Sequence, residues 1–179
     1  MRAQSADRAH EEIQQKYLTF MLGEEEYGVP VLQVAEIVKV ENLIRIPHAR
    51  QYFLGLMDIR GRVLPIVDLK LKLSIQTQDE QNPQAAAATS NTSLDRAIII
   101  EIQGRRIGLA VDQVSHVVRF PPENIDPGPP SLKTAASKFV TGVGKNDEEF
   151  VVLMNLNHLF SEEELSGLFS GAASAFTKK

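Results

Sequence analysis

Four histidines, His10, His48, His116 and His158, are the side chains best suited to proton transfer or metal ligation near neutral pH, and none lies near another in sequence. His10-Glu11-Glu12 has the opening of a helical zinc motif, but Gln14 stands where the second imidazole would be needed. His116 reads as a solvated surface residue. Cysteine is absent, which removes thiolate ligands, disulfides and cysteine nucleophiles. Gly142-Val143-Gly144-Lys145 comes nearest to a phosphate-cradling loop; it fails because Phe139 replaces the first glycine and Asn146, not a hydroxyl residue, follows the lysine. No Gly-x-Ser-x-Gly elbow occurs. Asp58 and Asp68, with His48, form the one set that a cleft could use for small-molecule binding or hydrolysis. Asp68 reads more simply as the cap of the short apolar stretch Leu69 to Leu73. The residues therefore predict no catalytic group, no cofactor and no metal.

A charged pair on an apolar background is the more prominent feature: Glu36 within VAEIV and Arg60 within DIRGR. A carboxylate and a guanidinium can bridge in two-pronged geometry, and at an interface such a pair orients two surfaces more than it adds affinity. As an ordinary surface ion pair it would contribute about 1 kcal/mol or less.

The elements that must position these residues repeat along the chain. YLTFMLGEEEYGVPVLQVAEIVKV, from Tyr17, overlays AIIIEIQGRRIGLAVDQVSHVVRF, from Ala97, pairing Gly28 with Gly108, Val31 with Val111, Gln33 with Gln113, Val34 with Val114 and Glu36 with His116. Beyond the loop from Pro121 to Pro130 the offset lengthens, and FLGLMDIRGRVLPIVDL faces VTGVGKNDEEFVVLMNL, pairing Gly55 with Gly142 and Asp68 with Asn155. Two related halves follow. Short runs of β-branched and aromatic residues end in turn signals at Gly23-Glu24, Arg60-Gly61, Gln103-Gly104 and Lys145 to Glu148, which predicts hairpins. About five strands per half suit small closed barrels better than open sheets with bare edges. Val31, Val34 and Ile37 fall at three-residue spacing, which leaves open a helical turn between Pro30 and Ile37.

The expected organisation is a flexible N-terminus over 1–15, a first barrel over 16–74, a mobile loop over 75–94, a second barrel over 95–160 and a C-terminal helix over 161–176. Ile75 to Asp95 is polar and alanine-rich, with little to bury. Ser161 followed by Glu164 is a capping box, and Leu165, Leu168, Phe169 and Ala172 form one apolar stripe for docking on a barrel. Across the 179 residues, 43% are apolar and 23% charged, which is globular composition. A formal net charge of -4 argues against nucleic acid as a partner. No apolar stretch approaches the roughly 18 residues of a membrane span, and the N-terminal segment lacks a secretory core, so the expectation is a soluble, cytoplasmic protein with no direct membrane insertion.

FMLGEEEYGVPVLQVAEI and FLGLMDIRGRVLPIVDL together resemble the CheW-like coupling proteins of bacterial chemotaxis, and the similarity extends from about Tyr17 to Phe169, so that 16–169 reads as one domain of that kind. The resemblance implies a mainly β fold of two SH3-like five-stranded barrels about a pseudo-twofold axis. It also implies a non-catalytic adaptor joining the cytoplasmic tips of chemoreceptors to the regulatory domain of the histidine kinase CheA, in arrays at the inner membrane. A purely structural array organiser is the alternative within that class. Carried over residue by residue, Val34, Glu36, Gly55, Arg60 and Gly61 fall on coupling positions, and Val31 and Val111 on an apolar groove between barrels that accepts a helix. Asp58 replaces the family's usual asparagine, which puts a negative charge beside Arg60 and makes it a further partner-binding candidate. The loop from Ile75 to Asp95 is longer than usual for the family.

Overall fold

A computed structural model describes residues 13–75, 94–128, 138–147 and 149–176. The first half of the repeat gives β1 (Lys16–Leu22), β2 (Glu25–Pro30), β3 (Val34–Lys39), β4 (Phe53–Ile59), β5 (Arg62–Asp68) and the short helix α1 (Leu69–Leu73). The second gives β6 (Arg96–Ile102), β7 (Arg105–Val111), β8 (Gln113–Arg119), β9 (Ile125–Asp126), β10 (Val140–Asn146), β11 (Glu149–Met154) and the helix α2 (Glu162–Phe176). The fold is mainly β, in two sheets. The helical turn left open after Pro30 is a single 3-10 turn, Val31–Gln33, before β3 begins.

The sheets run β8-β1-β2-β11-β10-β9 and β3-β6-β7-β5-β4. Exchanging each strand for its repeat counterpart, β6 for β1, β7 for β2, β8 for β3, β10 for β4 and β11 for β5, converts the second order into the first five strands of the other. The pseudo-symmetry read from the sequence is thus present in the strand pairing. Its partition is not the sequential one, and this corrects the barrel boundaries 16–74 and 95–160. The hairpin β1–β2 is completed by β8 and by parallel pairing with β11, while β6–β7 is completed by β3 and by parallel pairing with β5. The reason is local: the three-residue turn after Pro30, and Asp112 between β7 and β8, redirect the chain into the other sheet instead of back along its own hairpin. The expected mobile loop falls almost entirely on 76–93, outside the described residues, as do 1–12 of the expected flexible N-terminus.

Three apolar clusters result. Met57, Leu64, Ile66, Ala97, Ile99 and Ala110 fill one barrel, and Phe120, Val151 and Leu153 fill the other. A larger core between them takes Leu18, Phe20, Leu22, Ile98, Ile100, Ile102, Leu109 and Val111. Strand β6 therefore faces a barrel interior with Ala97 and Ile99 and the shared core with Ile98, Ile100 and Ile102. That explains the unbroken run Ala97 to Ile100, since a strand covered on both faces carries no polar alternation.

Helix α2 closes the shared core. The capping box forms: the Glu164 amide donates to Ser161 Oγ at 3.2 Å and the Ser161 amide donates to Glu164 Oε2 at 2.9 Å. Leu165 and Leu168 are buried in the shared core with Phe169 packed against it, so the apolar stripe docks on the body of the protein. Arg105, at the β6–β7 turn, lies over the Phe169 ring at 5.0 Å. No helix among the described residues is long and apolar enough to cross a membrane.

Candidate functional site

Glu36 lies on β3, one edge of a five-stranded sheet, and Arg60 in the turn that joins the other edge, β4, to its neighbour β5. In a flat sheet, three to four inter-strand steps would hold them roughly 14 to 19 Å apart. Arg60 Nη2 instead sits 3.4 Å from Glu36 Oε2, so the sheet curls until its edges meet and the pair spans the seam. A bulge between Val34 and Glu36 shifts β3 against β6 and increases its local bend. Glu36 is held in place with 24% of its side chain exposed, whereas the Arg60 side chain is 84% exposed. The guanidinium is therefore presented to solvent, and the pair adds little to stability.

The turn that carries Arg60 is a two-residue hairpin with φ of 54° at Arg60 and 79° at Gly61. Positive φ at both central positions is the requirement of the tight turn whose twist matches the flanking strands. A Cβ on Gly61 would meet nothing within 4 Å, so its glycine serves backbone conformation and not space. Asp58, exposed on the strand before the turn, accepts a hydrogen bond from the Gly61 amide at 2.7 Å. Glu36, Asp58, Arg60 and Gly61 thus meet at one corner of one barrel.

The other candidates lie elsewhere. Gly55 is buried with φ of 151°, and a Cβ there would stand 2.6 Å from the Ile44 carbonyl oxygen. Gly142, its counterpart, would likewise put a Cβ 2.7 Å from the Asp126 carbonyl. Both glycines let a crossing segment lie on the first strand of the hairpin: Ile44 bridges Leu56, and β9 pairs with β10. Gly55 shapes the barrel and has no face to offer. Val31 and Val34 are half-buried and pack against the shared core. Val111 is 0% exposed, so the expectation that it lines an open groove is corrected: it is part of the packing that joins the two barrels.

The set proposed for small-molecule or hydrolytic chemistry does not assemble. Asp58 is paired with Val63 on β5, and Asp68 lies five residues further along that strand, about 17 Å away. Asp68 Oδ1 accepts from the Leu71 amide at 3.1 Å as the cap of α1. Burial pushes the Asp68 carboxyl above its ordinary range, with the backbone bond and Lys70 opposing. His48 is exposed, as are His116 and His158, and His10 lies outside the described residues. The His116 backbone is clasped by Thr19, whose hydroxyl donates to the His116 carbonyl at 3.1 Å, leaving the imidazole outward. Gly142 and Gly144 are interior residues of β10, not a phosphate loop. Among the described residues no three His, Cys, Asp or Glu side chains group as metal ligands.

Sequence reasoning missed a polar hub beneath α2. Glu164 Oε1 accepts from Tyr52 Oη at 2.9 Å and pairs with Lys72 Nζ, and Arg50 Nη1 approaches to 3.9 Å. Lys72 Nζ also lies 4.8 Å from the Tyr52 ring centroid and 5.1 Å from that of Phe160. Burial acts to raise the Glu164 carboxyl, but bonds from Lys72, the Ser161 amide and Tyr52 outweigh it and hold the group at about 2. Burial, with the neighbouring carboxylate, pushes the Tyr52 phenol up to about 12. The capping box pointed to Glu164; nothing in the spacing of Tyr52 and Lys72 revealed that they would meet it.

Comparison with known proteins matches residues 16–164 to the CheW-like domain. The chain is 32% identical over 158 residues to "Chemotaxis protein CheW" of Klebsiella aerogenes, covering 88% of this chain and 89% of that one. It is 34% identical over 149 residues to "Probable chemotaxis protein CheW" of Rhizobium etli, covering 82% and 88%. The crystal structure of the scaffolding protein TtCheW from Thermoanaerobacter tengcongensis superposes with a TM-score of 0.67 at 29% identity, covering 83% of this chain and 88% of that one. With the interleaved strands, the seam pair and the match over 16–164 all in hand, the chain belongs to the CheW-like domain family.

Proposed function

We propose that this protein is a non-catalytic adaptor that couples the cytoplasmic tips of chemoreceptors to the regulatory domain of the histidine kinase CheA, within arrays at the cytoplasmic face of the inner membrane. The observation that carries the reading is the corner where Glu36 and Arg60 meet: two residues that the family resemblance links to coupling share one exposed ion pair, although one lies on an edge strand of a sheet and the other in the turn at the end of the opposite edge strand. An interface needs an oriented charge on a rigid support, and this corner has both. Asp58 and Gly61 belong to it through the turn, and Val31 and Val34 flank the start of β3. Gly55 and Val111 serve the surface indirectly, as packing. The separation of Asp58 from Asp68 along β5 weighs against a hydrolytic barrel. Individual contacts in such an array are modest, and repetition supplies avidity.

The test is kinase stimulation in a reconstituted mixture of receptor fragments, CheA and this protein. Arg60→Ala and Glu36→Lys should retain the wild-type circular dichroism spectrum and lose most of the stimulation. Wild-type stimulation by both variants would remove this corner from the coupling surface.

A further inference from the structure

We infer that Asp58 is a positioning residue for Arg60: its carboxylate fixes the β4–β5 turn, and the turn fixes where the guanidinium is presented. The inference rests on the reading of the Glu36–Arg60 corner as a partner-binding surface. Within the β4–β5 ladder Ile59 is paired with Arg62, so Arg60 and Gly61 are the two residues outside it. Gly61 is left with an amide that the ladder does not use. Asp58 Oδ1 takes that amide at 2.7 Å. The bond reaches over Arg60, which stands at φ 54°, a region an L side chain enters only when its surroundings hold it there.

The alternation of β4 directs the rest. Met57 is buried in the barrel interior and Ile59 packs against the same cluster, so Asp58 points out of the barrel, on the side where it can reach the turn. The Arg60 side chain has little packing of its own, being 84% exposed, and among the described residues its charged contact is the pair with Glu36 at 3.4 Å. The Asp58 bond adds to the closing Ile59–Arg62 pair a side-chain tie on the turn backbone that sets the direction of that side chain. The second half of the repeat supplies a contrast. Its corresponding hairpin closes with Asn146 paired to Glu149, and Lys145, an ammonium and not a carboxylate, occupies the position that Asp58 has in the first half. The clasp therefore belongs to the barrel that carries Arg60 and is absent at the equivalent strand position of the other.

Because the contact is a hydrogen bond to an amide, either a carboxylate or a carboxamide can make it. Asp58→Asn should behave as wild type and Asp58→Ala should not. The experiment measures, on the full chain, exchange of the Gly61 amide by NMR and affinity for the isolated regulatory domain of a CheA kinase, for D58A, D58N, R60A and D58A/R60A. Expected are loss of Gly61 protection in D58A with recovery in D58N, about tenfold weaker binding by D58A with recovery in D58N, and a double variant no weaker than R60A. If D58A loses Gly61 protection but binds as wild type, or if its effect adds fully to that of R60A, the positioning role is overturned while the surface stands. If D58N is as weak as D58A, the charge and not the turn matters, and the inference also falls. If R60A itself binds as wild type, the failure lies in the surface reading and takes the inference with it.

Discussion

Tyr52 Oη donates to Glu164 Oε1 at 2.9 Å, so a residue just before β4 holds a helix more than a hundred positions later in the chain. The same oxygen pairs with Lys72 of α1, whose side chain is only 13% exposed. Removing the carboxylate would leave an ammonium and a phenol half-covered and unpaired. Glu164→Gln should therefore cost about 2 kcal/mol in urea unfolding, with Tyr52→Phe costing about 1 kcal/mol.

The low pKa of Glu164 makes the same hub sensitive to acid. Its folded value, about 2, lies below the ordinary 4.5, so the folded state releases this proton more readily than the unfolded one. The stabilisation is present above about pH 4.5 and is lost as pH falls toward 2. Asp68 works in the opposite sense: burial raises its pKa, so ionising it on the way to neutral pH takes stability away. Unfolding free energy measured between pH 6 and pH 2 should fall more steeply for the wild type than for Glu164→Gln.

Arg60→Ala separates coupling from folding. The ion pair is largely solvated, and its loss should change stability by less than about 1 kcal/mol while kinase stimulation collapses. Exchanging the charges, Glu36→Arg with Arg60→Glu, should keep the fold equally well and still fail to stimulate, because a partner reads the sign of the exposed charge and not the pair.

Gly55 and Gly61 are glycines for different reasons, and alanine should distinguish them. At Gly55 a Cβ would approach the Ile44 carbonyl to 2.6 Å at a φ of 151°, so Gly55→Ala must displace the segment bridged to Leu56 and should cost about 3 kcal/mol. At Gly61 the space is open and only the positive φ is strained, so Gly61→Ala should cost about 1 kcal/mol. Thermal unfolding of the two variants side by side checks the difference.

The sequence made the strands, the hairpin tips, the capping box and the internal pairing of Gly28 with Gly108 and Gly55 with Gly142 legible, because each follows from side-chain period, turn residues or self-similarity. Strand assignment to sheets was not legible. Periodicity says that Val34 to Lys39 is a strand, but choosing β6 over β1–β2 as its neighbour depends on a three-residue turn whose direction no local pattern encodes. Of the site, Glu36 and Arg60 stood out by charge on an apolar background, and they do meet. Val111 was misread because a valine in a strand looks the same whether its face is a groove or a core. The Tyr52–Lys72–Glu164 hub was invisible because it joins three segments whose proximity exists only after both barrels have closed.

The exchange of strands between the two halves has a consequence for cutting the chain. Every contact that completes the β1–β2 sheet comes from the second half of the repeat, and every contact that completes the β6–β7 sheet includes the first. A polypeptide carrying one half alone would leave its hairpin and its remaining strands in separate, unfinished sheets, yet two such polypeptides facing each other would supply all that each lacks. Within one chain the architecture has the reciprocal strand exchange of a symmetric, domain-swapped pair. Fragments separated between the halves should accordingly be unfolded apart and regain the native fold on mixing.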